Sequence, residues 1–210
     1  MGILSKKDAA LILDPLADNN PITIQVLGIC SALAITAELE ASIVMAVSVL
    51  FVMGMGNVVI SLMRNIIPSK IRIIVQLVVV ATLVIVVDQV LKAFAYELSK
   101  TLSVFVGLII TNCIIMGRAE AFALANNPWH SMWDGLGNGL GYGWILIAVG
   151  FFRELLGAGS LLGIKVVPQA LYDIGYVDLG LMVYAPGAFI VIGLFTWLQY
   201  ELIIKKIKGR

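Results

Sequence analysis

The chain has one histidine, two cysteines, six prolines, and charged residues at only 13% of its 210 positions. Each shortage excludes a class of protein. Soluble domains carry about 25% charged and roughly 45–50% apolar residues. This chain is 60% hydrophobic with a mean hydropathy of +1.02, more apolar surface than a water-facing fold can hide. A formal net charge of +1 gives no basic field for nucleic acid, so nucleic acid is not an expected partner. The single His130 rules out a bis-histidine haem held by this chain alone. Two cysteines, Cys30 and Cys113, do not make a disulfide framework; both lie inside apolar runs, where a small buried hydrophobe or a soft metal ligand is expected. Near the start, Lys6, Lys7, Asp8, Asp14 and Asp18 surround only a short apolar patch with no small-residue cleavage site, so no cleaved signal peptide is expected.

What the chain does have is long charge-free stretches: Ile22 to Ala37, Ala41 to Met63, Ile73 to Val87, Thr101 to Gly117, Gly135 to Phe152, and Leu179 to Tyr200. Crossing a bilayer takes ~20 residues at 1.5 Å each. The second and sixth runs suffice, and the third reaches that length by continuing past Asp88 through Val90, Leu91 and Phe94. The first and fourth are short, and these two carry the cysteines. Short apolar segments in corresponding positions of two halves indicate broken or re-entrant helices, tolerated where protein covers the freed backbone. With six crossings, Lys6, Lys7, Arg64, Lys70, Arg72, Arg118, Lys205, Lys206, Lys208 and Arg210 fall on one side, leaving Lys92, Lys100, Arg153 and Lys165 opposite. The positive-inside rule then places both termini in the cytoplasm. Counting helical rise from Ile22 puts Cys30 ~12 Å deep, and counting from Thr101 on the other face puts Cys113 ~18 Å deep, the same plane of a ~30 Å layer. The two sulfurs are thus expected to meet near mid-membrane.

A repeat supports the pairing. Leu62-Met63-Arg64-Asn65-Ile66-Ile67 is echoed by Phe151-Phe152-Arg153-Glu154-Leu155-Leu156, each after a short cysteine-bearing run. Three crossings per half force the second half to enter from the opposite face. The expected fold is therefore an all-α membrane protein: one integral domain over residues 1–210, six transmembrane helices arranged as an inverted three-plus-three repeat (about 20–97 and 100–205), with the first and fourth helices short or broken.

Other motifs have simpler readings. Gly135, Gly137, Gly139, Gly141 and Gly143 resemble a nucleotide loop, but no G-x-G-x-x-G spacing and no preceding strand occur, so no dinucleotide site is expected. Gly135, Gly139 and Gly143 are spaced by four, which gives one helix face close contact with a neighbour. Trp129 and Trp133, flanking His130 in a polar loop, suit an interfacial belt. The Lys205, Lys206 and Lys208 cluster suits a topology anchor beside anionic lipid. Acids within apolar segments default to ion pathways, which makes Asp88 and Asp134 pathway candidates. Against that, Lys92 at i+4 or water at a helix end would satisfy Asp88. Arg153 beside Glu154 suits a structural ion pair with neighbours. No catalytic residue is indicated.

The segments Asn19-Asn20-Pro21, Val26-Leu27-Gly28-Ile29-Cys30-Ser31-Ala32-Leu33-Ala34, Val86-Val87-Asp88-Gln89, Val106-Gly107-Leu108-Ile109-Ile110-Thr111-Asn112-Cys113 and Gly117-Arg118-Ala119-Glu120-Ala121-Phe122-Ala123 carry a resemblance from about Asn19 to Phe195. They resemble the family formed by the D-type membrane subunits of sodium-translocating NADH:quinone oxidoreductases and the E-type subunits of the Rnf electron-transport complex, with Cys30-Ser31-Ala32-Leu33 closer to the quinone-reductase branch. The resemblance implies a multi-pass subunit of the bacterial inner membrane. It implies assembly with a homologous E-type partner and with the A, B, C and F subunits of a six-subunit complex. It implies that Cys30 and Cys113 hold an iron–sulfur centre, either 2Fe–2S or iron, shared with that homologous partner, since such clusters take four thiolate ligands and this chain has two. NADH, flavin and ubiquinone chemistry would then belong to other subunits, with no flavin, haem or NADH site here. The expected function is electron relay across the bilayer in support of sodium transport. The alternatives are the equivalent Rnf subunit, a secondary transporter built on inverted repeats, and a purely structural membrane subunit.

Overall fold

The computed structural model describes residues 11–16, 19–68, 70–94, 107–161, 164–165 and 180–208. The described elements are helices α1 (Ile29–Ile35), α2 (Leu39–Met63), α3 (Arg72–Phe94), α4 (Cys113–Arg118), which continues as a π-helical turn over Ala119–Ala123, α5 (Pro128–Gly157), α6 (Gly180–Val183) and α7 (Ala185–Lys208). A two-residue antiparallel pair joins β1 (Ser160–Leu161) to β2 (Ile164–Lys165) after α5. Among the described residues, three helical stretches are long and apolar enough to cross a membrane: Leu39–Met63, Arg72–Ala93 and Pro128–Gly157.

These boundaries follow from local chemistry. Extended Glu38 precedes α2, and Glu40 sits in its first turn, where a negative charge faces the unpaired N–H groups. Extended Asn127 precedes α5 with Pro128 at its start, a position that lacks nothing by losing its N–H. That start lies upstream of the Gly135 expected from the apolar run, and it draws Trp129 and His130 out of the expected loop into the first helical turn. Asp134 does not end the helix because Arg118 satisfies it. Hydroxyls inside the apolar helices turn back on their own backbones: Ser42 donates to Glu38 O, Ser48 to Val44 O, Thr82 to Val78 O and Thr196 to Ile192 O. Such bonds leave none of these four hydroxyls unpaired inside the apolar helices.

Helices α2 and α5 run antiparallel and form the centre of the molecule. Their seam is lined by glycine. A Cβ at Gly135 would stand 2.8 Å from Met53 O, one at Gly139 3.1 Å from Leu50 Cα, one at Gly143 3.1 Å from Ala46 Cβ, and one at Gly150 2.7 Å from Ser42 Oγ. The four-residue spacing is a packing face, as expected. Without a hydrophobic drive between helices in lipid, close backbone approach supplies the dispersion contacts that hold such a pair. The alternate glycines meet another segment: Gly141 lies against Pro15 O, and Gly137 against Leu11 and Ile12. Ile22, Val49, Val52, Met53, Tyr142, Leu146 and Val149 are fully buried around this seam. Outward, Ile73, Ile74, Val78, Ile85 and Val90 on α3 are exposed.

Three apolar runs depart from continuous helices. In the first, residues 21–28 turn, with Val26 at φ 58° and Gly28 at φ 79°, so α1 starts only at Ile29. In the fourth, residues 107–110 are helical, Thr111 and Asn112 break the helix, and α4 restarts at Cys113; Thr101 to Val106 lie outside the described residues. The sixth breaks at Tyr184, ahead of Pro186 in the first turn of α7. Counting helical rise from Ile22 or Thr101 therefore does not measure the depth of either cysteine. Lys6, Lys7, Lys100 and Arg210 also lie outside the described residues, as do the side chains of Lys165, Lys205, Lys206 and Lys208.

Candidate functional site

Both cysteines stand where a helix begins. Cys30 is the second residue of α1 and Cys113 the first of α4, and their sulfurs are 3.9 Å apart. Both side chains are exposed on the surface of the chain. First-turn N–H groups have no intrahelical partner, and the backbone N–H groups of Gly28 and of Cys113 itself face the Cys113 sulfur.

Three buried side chains beneath hold the pair. Asn112 caps α4 by accepting from Ile114 N at 3.4 Å and donates from Nδ2 to Ser31 Oγ at 3.1 Å. Ser31 Oγ donates to Gly28 O at 2.9 Å and stands 2.8 Å from Tyr142 Oη. Tyr142, fully buried on α5, presses against the Gly28 turn, where any Cβ would stand 2.9 Å from its ring. The left-handed backbone at Gly28 and that close ring both require glycine. The two cysteine-bearing helices are thereby bonded to each other through Asn112 and Ser31 and to the central seam through Tyr142. Residue patterning alone does not single out this trio. Its signal was adjacency: Ser31 and Asn112 are the immediate neighbours of the two cysteines.

The spacing suits soft-metal chemistry. Thiolates bound at ~2.3 Å to one tetrahedral metal stand about 3.8 Å apart, and 3.9 Å is observed. Among the described residues, no group of three or more His, Cys, Asp and Glu side chains is placed to hold a metal. The two sulfurs alone are placed at the spacing of two ligands on a tetrahedral metal.

The pathway candidates lie apart from the sulfurs in the bonding network. Asp88 on α3 is paired with Lys92 Nζ at 2.5 Å, the i+4 partner. Asp134 on α5 is buried and takes two bonds from Arg118: Nε to Oδ2 at 3.1 Å and Nη2 to Oδ1. Asn138 adds a third from Nδ2 to Oδ1 at 3.2 Å, while its own Oδ1 is buried without a partner. Asp134, Asn138 and Arg118 line a cavity of about 200 Å³ with Asp14, Asn19 and Gln25. Among the described residues Arg153 forms no ion pair, unlike the expectation: it donates to Leu33 O, Thr36 Oγ1, Met182 O, Val183 O and Tyr184 O. Its N–H groups go to neutral acceptors, three of them carbonyls where the sixth run breaks. Glu154 instead accepts from Leu39 N at 2.7 Å, at the start of α2.

Residues 9–196 match a protein family described as "Rnf-Nqr subunit, membrane protein". The chain is 56% identical over 193 residues to the D subunit of the Na(+)-translocating NADH-quinone reductase of Photobacterium profundum, covering 92% of each chain. That relative is one subunit of an oxidoreductase complex. With near-complete coverage by both comparisons, this chain belongs to the Rnf-Nqr family of membrane subunits.

Proposed function

We propose that this chain is the electron-relaying membrane subunit of a sodium-translocating NADH:quinone reductase, with Cys30 and Cys113 supplying two thiolate ligands to an iron–sulfur centre completed by a homologous subunit. The observation that carries the reading is the 3.9 Å separation of two exposed sulfurs, each at a helix start. When bound, the centre supplies one-electron acceptance and donation within the low-dielectric layer. The protein's part is to hold two thiolates at ligand spacing, to aim unpaired first-turn N–H groups at their negative charge, and to leave the outer face of the pair open to a partner. Asn112, Ser31 and Tyr142 fix that geometry from behind.

The proposed architecture is six crossings as an inverted repeat, multi-pass in a bacterial inner membrane with both termini cytoplasmic. Beyond the sequence echo, it is supported by an exchange between the halves: Arg64 donates to Asn126 O at 2.8 Å and Arg153 to Leu33 O at 3.3 Å. Each arginine lies at the end of its own half's long central helix and bonds backbone in or beyond the opposite half's short one. For sodium the candidate pathway residues are Asp134 and Asp88, since hard carboxylate oxygens suit the ion, each of them held in an ion pair, with Arg118 and Lys92.

The test is replacement of either sulfur in the purified complex. In Cys30→Ser or Cys113→Ser, the membrane iron centre should vanish and NADH-driven quinone reduction should stop, while NADH oxidation by an artificial acceptor continues. A serine hydroxyl at that site does not ionise to bind soft iron. Full quinone reductase activity in either variant refutes the assignment. The chain produced without its partners should hold no stoichiometric iron, because two ligands do not close a four-ligand site.

A further inference from the structure

We propose that in the unassembled chain Cys30 and Cys113 close into an intramolecular disulfide when a hydroperoxide is present, and that this bond reversibly bars the pair from metal. The inference rests on the metal-ligand reading for its consequence alone; the bond itself follows from geometry. The sulfurs are 3.9 Å apart and both are exposed. A disulfide of about 2.05 Å needs them to approach by about 2 Å. They are held as neighbours because Asn112 donates to Ser31, the residue beside Cys30. That tie makes the second sulfur an intramolecular reactant, favoured over a thiol on another molecule.

The step balances with one peroxide. A thiolate attacks the peroxide bond, forming S–O and releasing hydroxide, and the sulfenic acid results. The second thiolate attacks that sulfur, S–S forms and S–O breaks, and a second hydroxide leaves. The two protons shed by the thiols turn both hydroxides into water. Two electrons pass from the sulfurs to the peroxide. The disulfide sulfurs are no longer thiolates, so neither binds iron as one.

The chain contains only two cysteines, which makes thiol counting decisive. The full chain, produced without partner subunits and purified in detergent, is treated with hydrogen peroxide and then with a maleimide label. Two labelled thiols should fall to none, the intact mass should drop by two hydrogens, and dithiothreitol should restore both labels. Persistent labelling, sulfinic acid at either position, or disulfide-linked chain dimers would overturn the proposal. Cys113→Ser should retain a sulfenic acid at Cys30 that a dimedone probe traps. Equal trapping in the unsubstituted chain would also overturn it. When assembled with partner subunits in ferrous iron and sulfide, the oxidised chain should take up iron only after reduction; equal uptake without reduction removes the proposed bar. If neither form takes up iron while the disulfide forms, the metal-ligand reading fails and the disulfide stands.

Discussion

Arg153 Nη1 donates to Thr36 Oγ1 at 2.5 Å, joining the end of α5 to the turn that follows the cysteine-bearing α1. Thr36 itself donates to Ala32 O at 2.5 Å, so a hydrogen-bond chain runs from the guanidinium into the helix that carries Cys30. The same guanidinium collects three carbonyls where the sixth apolar run breaks. One fully buried side chain thus closes two interrupted helices at once.

Arg153→Ala should lower the melting temperature of the complex through loss of several kcal/mol, since each buried acceptor left without a donor costs roughly 1–3 kcal/mol. Arg153→Lys should recover only part of this, because a single ammonium lacks the planar fork that reaches five acceptors. Thermal denaturation of the purified complex checks it. A melting temperature for Arg153→Ala equal to that of the unsubstituted complex would show that the broken ends find other donors.

Asn112 combines a helix cap with a bridge to Ser31. Asn112→Ala removes both and should cost about 0.5–2 kcal/mol for the cap alone, with a reduced iron content in the assembled complex. Asn112→Asp keeps the acceptor for Ile114 N and loses the donor to Ser31, so iron content should be intermediate. Iron analysis of the three proteins decides; equal content would separate the cap from the sulfur geometry.

Gly135→Ala should destabilise the central seam by about 1–3 kcal/mol, because its Cβ would meet backbone at Met53 O and Gly54 Cα. Backbone does not yield as a flexible side chain does. Gly193→Ala is the matching control: nothing lies within 4 Å of its Cβ, and replacing a helical glycine gains up to about 1 kcal/mol. Opposite shifts in melting temperature are expected.

Asp88→Asn should shift the sodium dependence of quinone reduction while leaving iron content unchanged, because a neutral amide binds a hard cation less well than a carboxylate. Asp134→Asn should shift it as well and also lower stability, since it leaves the partly buried Arg118 without its carboxylate. A sodium titration of Asp88→Asn that overlays the unsubstituted protein would assign Asp88 solely to its ion pair with Lys92.

Membrane class, the three long spans and the glycine packing face were legible from residue order alone. Each rests on short-range regularities: charge-free length sets a span, and residues four apart share a helix face whatever lies opposite. Interruption of the two cysteine-bearing runs was also legible, because their charge-free lengths fall short of a crossing. Where the breaks fall was not. The turn at Val26 to Gly28 follows from the Tyr142 ring behind it, and the restart at Cys113 from the Asn112 cap and its bond to Ser31. Nor does any local pattern distinguish an arginine in an ion pair from Arg153, whose acceptors lie 29 to 120 positions away. The 3.9 Å contact between sulfurs 83 positions apart is likewise a product of long-range packing. Helices in lipid gain little from hydrophobic burial, so close packing and buried hydrogen bonds between distant segments decide which helix ends meet.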